Sequence, residues 1–125
     1  MNKLWSAFGV TVIIFVLAFT ELFLTKSTAD DILEIIDKTE ISAKNSSQDT
    51  EKFCGEIKDL WDNKKSKLQI FLSHGDIDSI DISIESIKRY CEEDRFDKAY
   101  IECGVLKNRI NSLKDGEVIN FVNIF

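Results

Sequence analysis

An uncharged apolar run near the start of the sequence constrains this chain more than any other feature. Residues 4–20 contain no charged side chain, and Glu21 is followed by three more apolar residues that end at Leu24. As a helix, residues 4–24 would rise about 30 Å, which matches the thickness of the hydrocarbon core of a bilayer. The sequence therefore predicts a transmembrane helix over residues 4–24 that contacts the lipid bilayer.

A secretory signal peptide is the alternative interpretation of this run, because it also begins with a cation and an apolar stretch. Its apolar region usually has about 7–15 residues, which is shorter than the run found here. Cleavage after Ala29, within the small residues of Ser27–Ala29, would release a secreted helical protein. The length of the run favours an uncleaved signal anchor.

Charges on both sides of the run bear on its orientation. Lys3 precedes the run and Lys26 follows it, so the positive-inside rule separates the two orientations only slightly. The order of a cation followed by an apolar run favours a cytoplasmic start at residues 1–3. The prediction is a single-pass protein of the cell membrane, with residues 28–125 on the extracytoplasmic side.

The rest of the chain has the composition and periodicity of helices. It contains no proline, and the whole sequence has five glycines, which favours helix over sheet. Short turns between amphipathic helices make neighbours antiparallel. The predicted fold is all-α, a transmembrane helix followed by an antiparallel bundle of about four helices. Apolar residues at three- and four-residue steps predict these helices over about 28–44, 50–73, 76–93 and 95–114.

The third of these segments also has a strand-like pattern. Residues 80–84 alternate isoleucine with polar side chains, as a half-buried strand would. The helical spacing covers a stretch about twice as long, in Ile77, Ile80, Ile84, Ile87 and Cys91. The longer match to one period predicts a helix.

Glycines and aspartates mark the predicted helix ends. Gly75 is expected to end the second helix as a left-handed cap, and Gly116 to end the fourth. Asp76 and Asp94 are expected to be the N-caps of the third and fourth helices.

An apolar tail over residues 117–125 follows the last predicted helix. It carries no charged side chain after Glu117. One interpretation is that the tail folds back and plugs the bundle, and the other is that it forms an exposed apolar patch or binds a partner. The candidates for partner binding are Ile119, Phe121, Ile124 and Phe125.

The charged and nucleophilic residues form no recognisable catalytic pattern. A net charge of −6 argues against nucleic acid as a partner. Three cysteines cannot all pair within the chain, so Cys54, Cys91 and Cys103 are interpreted as small buried hydrophobes, with one disulfide plus a free thiol as the alternative. No acid is marked with a matching base. The sequence predicts no enzyme, no catalytic residue and no cofactor.

His74 is the only histidine, and with Asp76 and Asp78 it forms the candidate metal site. The spacing lacks the glycine and glutamate that a calcium loop requires, and the aspartates also suit the start of a helix. No metal ion is therefore predicted. A ligand- or metal-sensing envelope domain using these three residues is kept as the alternative function.

Short motifs recur in order along the chain, with Leu60-Trp61 before Lys64-Lys65, residues 71–74 ending in His74, residues 77–80, and Asn-Ile-Phe at residues 123–125. Together with the apolar run, this layout resembles an uncharacterised family of small, single-span, membrane-anchored proteins of Firmicute bacteria, labelled domain of unknown function 4363. The resemblance implies a bacterial cell-envelope protein with no assigned activity. Members are encoded beside multi-span membrane proteins, which implies a partner of that kind.

These inferences lead to one leading hypothesis for function. The chain is expected to be a non-enzymatic interaction or accessory protein for another membrane or envelope protein. The sequence predicts neither the identity of that protein nor the oligomeric state.

Overall fold

The chain folds into four helices connected by short turns. The computed structural model describes the backbone of residues 2–70 and 72–124, and the side chains of residues 2–70 and 72–115. Within these residues there is no strand, so the predicted all-α fold is confirmed. The helices are α1 (Asn2–Lys44), α2 (Asp49–Leu68), α3 (His74–Glu92) and α4 (Phe96–Ile124).

Helix α1 joins the apolar run to the bundle without a break. Its 43 residues correspond to a length of about 64 Å. Residues 2–17 are exposed on every side, apart from the half-buried Gly9. By length and composition, α1 contains an 18-residue stretch that is apolar enough to cross a membrane. It is the one such helix among the residues that the structure describes.

The second half of α1 buries one stripe of side chains, and the stripe repeats every seven residues. This is the spacing at which a helix keeps contact with neighbours that cross it at a small angle. The stripe includes threonines, and the Thr39 hydroxyl donates a hydrogen bond to the Ile35 carbonyl oxygen at 2.8 Å. Two of the buried rows are Thr25, Ile32 and Thr39, and Ala29, Ile36 and Ala43.

In the bundle, α1 and α3 each pack against α2 and α4. Two ion pairs mark the antiparallel register of α1 and α4. Asp37 pairs with Lys107 at 2.8 Å, and Asp30 pairs with Lys114 at 2.7 Å, a step of seven residues on both helices. The largest side chains of the shared core are Trp61, Ile32, Ile36, Ile57, Leu68, Ile77, Ile80, Ile87, Leu106 and Ile110.

The helical period of α3 is confirmed in preference to the strand pattern. All five side chains of the predicted helical stripe are buried, from Ile77 to Cys91. Ile82, which belongs only to the strand pattern, is 64% exposed.

The connection between α2 and α3 differs from the prediction. Helix α2 ends at Leu68, and Gly75 lies in the first turn of α3, so Gly75 does not cap α2. The predicted cap Asp76 is also wrong, because Ser73 takes this position with an extended backbone (φ −70°, ψ 152°). The Ser73 hydroxyl oxygen accepts a hydrogen bond from the Asp76 backbone N–H at 3.2 Å. A serine is as good an N-cap as an aspartate, and this one comes earlier in the chain.

Asp94 ends α3 and does not cap α4. It has a left-handed backbone with φ of 56°. The N–H of Asp94 donates to the Cys91 carbonyl at 3.1 Å, and that of Arg95 donates to the Tyr90 carbonyl at 2.8 Å. This pattern is a Schellman motif. Its left-handed position is usually occupied by glycine or asparagine, and aspartate adopts that conformation more readily than most other residues.

Helix α4 continues through Gly116 to Ile124, so the predicted end at Gly116 is wrong. A glycine within a helix costs about 1 kcal/mol relative to alanine, which is small beside the packing of α4 against α1. The side chains of residues 116–125 lie outside the part of the chain that the structure describes. The predictions for Ile119, Phe121, Ile124 and Phe125 fall on these residues.

Candidate functional site

The three cysteines lie in the core, one on each of α2, α3 and α4. Cys54, Cys91 and Cys103 are buried and free, so no disulfide forms among them. Burial is the largest cause of their raised pKa values, which are about 12 for Cys54 and Cys103 and about 11 for Cys91. The thiols are therefore protonated at neutral pH, in the form that is inert as nucleophile and as metal ligand.

The candidate metal ligands lie at the start of α3. His74, Asp76 and Asp78 are all exposed. Among the described side chains, no group of three or more histidines, cysteines, aspartates and glutamates is placed to hold a metal ion. The structure thus does not bring these three residues together as a ligand set.

A polar cleft between α2 and α3 contains a cluster of paired charges around Trp61. The indole N–H of Trp61 donates a hydrogen bond to Asp81 Oδ1 at 2.6 Å. Lys65 Nζ donates to the other carboxylate oxygen of Asp81 at 2.7 Å. Both oxygens of Asp81 are therefore held, and this three-residue arrangement is called the Trp61–Asp81–Lys65 cluster below.

The cluster follows from the way α2 and α3 face each other. Trp61 is 1% exposed, and a buried indole N–H needs an acceptor. Lys65 lies one turn further along α2, so it reaches the same carboxylate. Asp81 is next to the buried Ile80, at the edge of the core stripe of α3. Its side chain is 30% exposed, and that of Lys65 is 31% exposed.

A second set of ion pairs lies one turn away in the same cleft. Lys58 Nζ is 3.0 Å from Glu85 Oε1 and 3.8 Å from Asp62 Oδ2. The hydrogen bond with Glu85 is the main cause of the raised pKa of Lys58, and it lowers the pKa of Glu85. The hydrogen bond to Asp81 likewise raises the pKa of Lys65. Lys58, Lys65 and Glu85 therefore keep their charges throughout the neutral range.

The cleft has a volume of about 280 Å³. Its carboxylates are held by lysines, so none is placed as a free general base, and it contains no thiol or hydroxyl nucleophile. What it offers chemically is a set of fixed, partly exposed charges of both signs around a buried tryptophan. Its lining residues are Lys58, Trp61, Asp62, Lys65, Asp81, Ile84 and Glu85.

Sequence reasoning did not find this cluster. The sequence shows Lys65 only as part of the Lys64-Lys65 motif, and Asp81 as one of the polar residues that alternate with isoleucine over residues 80–84. The available signal was a tryptophan and a lysine four residues apart on one helix, with an aspartate flanking the core stripe of the next. That signal does not identify which residues bond to each other, because the partners are 16 and 20 residues apart in the chain.

Comparison with known proteins gives a family but no activity. No curated protein and no solved structure matches the chain. A family model described as "Domain of unknown function (DUF4363)" matches residues 19–124. The match includes all of α2, α3 and α4 and the half of α1 that packs in the bundle, whereas most of the apolar run precedes it. The chain therefore belongs to the DUF4363 family, in agreement with the resemblance of its motifs.

Proposed function

We propose that this protein is a membrane-anchored helical protein whose bundle binds a second integral protein of the same membrane. The observation that carries the proposal is the continuity of α1. One helix contains both an exposed apolar stretch long enough to span a bilayer and a buried stripe of the bundle core. A bundle attached in this way stays close to the membrane, where a membrane protein can contact it.

The burial of residues near Ala29 favours an uncleaved anchor. Thr25, Thr28 and Ala29 are at most 3% exposed, so they belong to the core. Cleavage after Ala29 would remove all three side chains and would cut within a helix. A signal peptide that is removed has no such role in the mature fold. We therefore favour a cell-membrane protein with residues 1–3 in the cytoplasm and the bundle outside it.

We assign the α2–α3 cleft as the surface that contacts the partner protein. α2 and α3 pack less extensively than the other neighbouring helices, which leaves the concavity between them. Fixed charges of both signs favour a partner with a complementary pattern, and they contribute more to specificity than to affinity. No catalytic role is assigned, because the described thiols are neutral in the core and the cleft carboxylates are paired.

Co-purification of the full chain in mild detergent tests this proposal. The chain offers a matched pair of variants, Lys58→Glu in the cleft and Lys107→Glu on the α1–α4 side. The two lysine side chains are 38% and 39% exposed, and each pairs with a carboxylate on a neighbouring helix. We expect Lys58→Glu to lose a co-purifying membrane protein that Lys107→Glu retains. Equal retention or equal loss would reject the cleft as the binding surface.

A further inference from the structure

We propose that the end of the bundle nearest the apolar run rests on the boundary between lipid headgroups and acyl chains. The contact is made by Ile70, in the connection between α2 and α3. This inference rests on the proposed membrane anchorage and adds a second lipid contact, made by the bundle itself.

The level of the α2–α3 connection follows from helix lengths. Helix α1 ends at Lys44, and α2 begins after a turn at Asp49 and runs back for 20 residues to Leu68. Counting the same number of residues back along α1 reaches Thr25, and both Thr25 and Leu68 are at most 1% exposed. The connection that follows Leu68 therefore lies level with the end of the apolar run.

Ile70 supplies the side-chain observation. It is 78% exposed, more than any other large apolar side chain that the structure describes. Exposed apolar surface costs about 25 cal/mol per Å² in water, and contact with acyl chains removes that cost. A single exposed isoleucine is ordinary on a protein surface, so the position of Ile70 at the level of the apolar run is what distinguishes it.

Other exposed isoleucines provide internal controls at greater distances from the apolar run. Ile82 is 64% exposed and follows Asp81, which bonds to Trp61 midway along α2. Ile41 is 63% exposed and lies close to the far end of α1. At about 1.5 Å per residue, Ile82 is about 12 Å and Ile41 about 26 Å beyond the level of Leu24.

The test uses the full chain reconstituted in vesicles of phosphatidylcholine and phosphatidylglycerol. Ile70→Cys, Ile82→Cys and Ile41→Cys are labelled separately with a nitrobenzoxadiazole fluorophore. The native cysteines are buried and neutral, so the unsubstituted chain serves as the labelling control. Quenching by phosphatidylcholine that carries a doxyl group near the headgroup then reports depth. We expect at least twofold stronger quenching at position 70 than at position 41, with position 82 between them.

Flotation of the same vesicles separates the two proposals. If the protein floats with the vesicles but positions 70 and 41 are quenched equally, the bundle does not rest on the membrane, and this inference is wrong while the anchorage stands. If the protein does not float, the anchorage itself is wrong, and this inference fails with it.

Discussion

The two halves of α1 share one unbroken helical backbone but have opposite surroundings. Over residues 2–17 apolar side chains point in all directions and stay exposed. From Thr25 to Ala43 only one stripe is buried, and the other faces are mostly polar, with Ile41 as an exposed exception. Because a helix that is apolar all round needs an apolar environment on every side, the first half requires a bilayer or another protein. The second half finds its environment within the chain.

Hydrophobicity alone therefore does not identify the role of a residue in α1. Ile13 and Ile32 lie in the same helix, yet Ile13 is 59% exposed and Ile32 is fully buried. The first lies outside the buried core of the bundle, whereas the second is packed within it.

The largest expected difference is in the free energy of unfolding when Ile32 and Ile13 are each replaced by alanine. Ile32→Ala leaves a cavity in the core and should lower the free energy of unfolding by about 2–5 kcal/mol. Ile13→Ala should change it by less than about 0.5 kcal/mol, because no bundle contact is lost. Urea unfolding of both variants in detergent, followed by circular dichroism, measures the difference. Equal destabilisation would mean that the apolar half of α1 is part of the packed core.

The next effect concerns the Trp61–Asp81–Lys65 cluster. Asp81→Ala leaves the buried indole N–H without its acceptor and should cost about 1–3 kcal/mol. Glu85→Ala in the same cleft breaks a pair with an exposed lysine and should cost at most about 1 kcal/mol. Urea unfolding of both variants measures the two costs. If Glu85→Ala is as destabilising as Asp81→Ala, the hydrogen bond to Trp61 is not the main stabilising interaction in the cleft.

The buried thiols make stability fall in alkali. Their pKa values are raised in the folded state from 9.0 to about 11 or 12, so the folded state retains protons that the unfolded state loses above pH 9. Each thiol should thus remove about 1 kcal/mol of stability between pH 9 and pH 10. Cys103→Ala should show a correspondingly smaller loss over this pH range in equilibrium unfolding. An unchanged slope would place the thiol in contact with water.

The smallest effect concerns the ion pairs on the outer surface of the second half of α1. Lys107→Ala removes the pair with Asp37, whose side chain is 56% exposed, and should cost about 0.2–1 kcal/mol. Salt screens such a pair, so the difference from the unsubstituted protein should shrink at 1 M sodium chloride. Thermal unfolding at low and high salt measures it. A cost that salt does not change would indicate that the lysine stem contributes by packing.

The sequence predicted the helices of the bundle and their buried stripes because one pattern, the three- and four-residue spacing of apolar residues, determines both. It failed at Gly75 and Gly116, where local preference competes with tertiary packing. Helix α4 passes through Gly116, and no local signal in the sequence reports that the preceding turn of α4 pairs with α1 through Lys114 and Asp30.

The Trp61–Asp81 hydrogen bond was not predictable for a related reason. Its partners come from different helices, and their meeting depends on the rotation of α2 against α3. Periodicity identifies the buried face of each helix but not which residues at the edges of two such faces become neighbours. The seven-residue repeat of the α1 stripe constrains packing geometry, yet it assigns no pairs.

The central claim is that α1 stays intact and anchors the bundle in a membrane. Mass spectrometry of the protein from fractionated cells, after alkaline carbonate extraction of the membranes, tests it most directly. The claim predicts that the protein remains in the carbonate-resistant membrane fraction and yields peptides from residues 4–24. A protein found in the soluble or secreted fraction with a new amino terminus at Asp30 would contradict it.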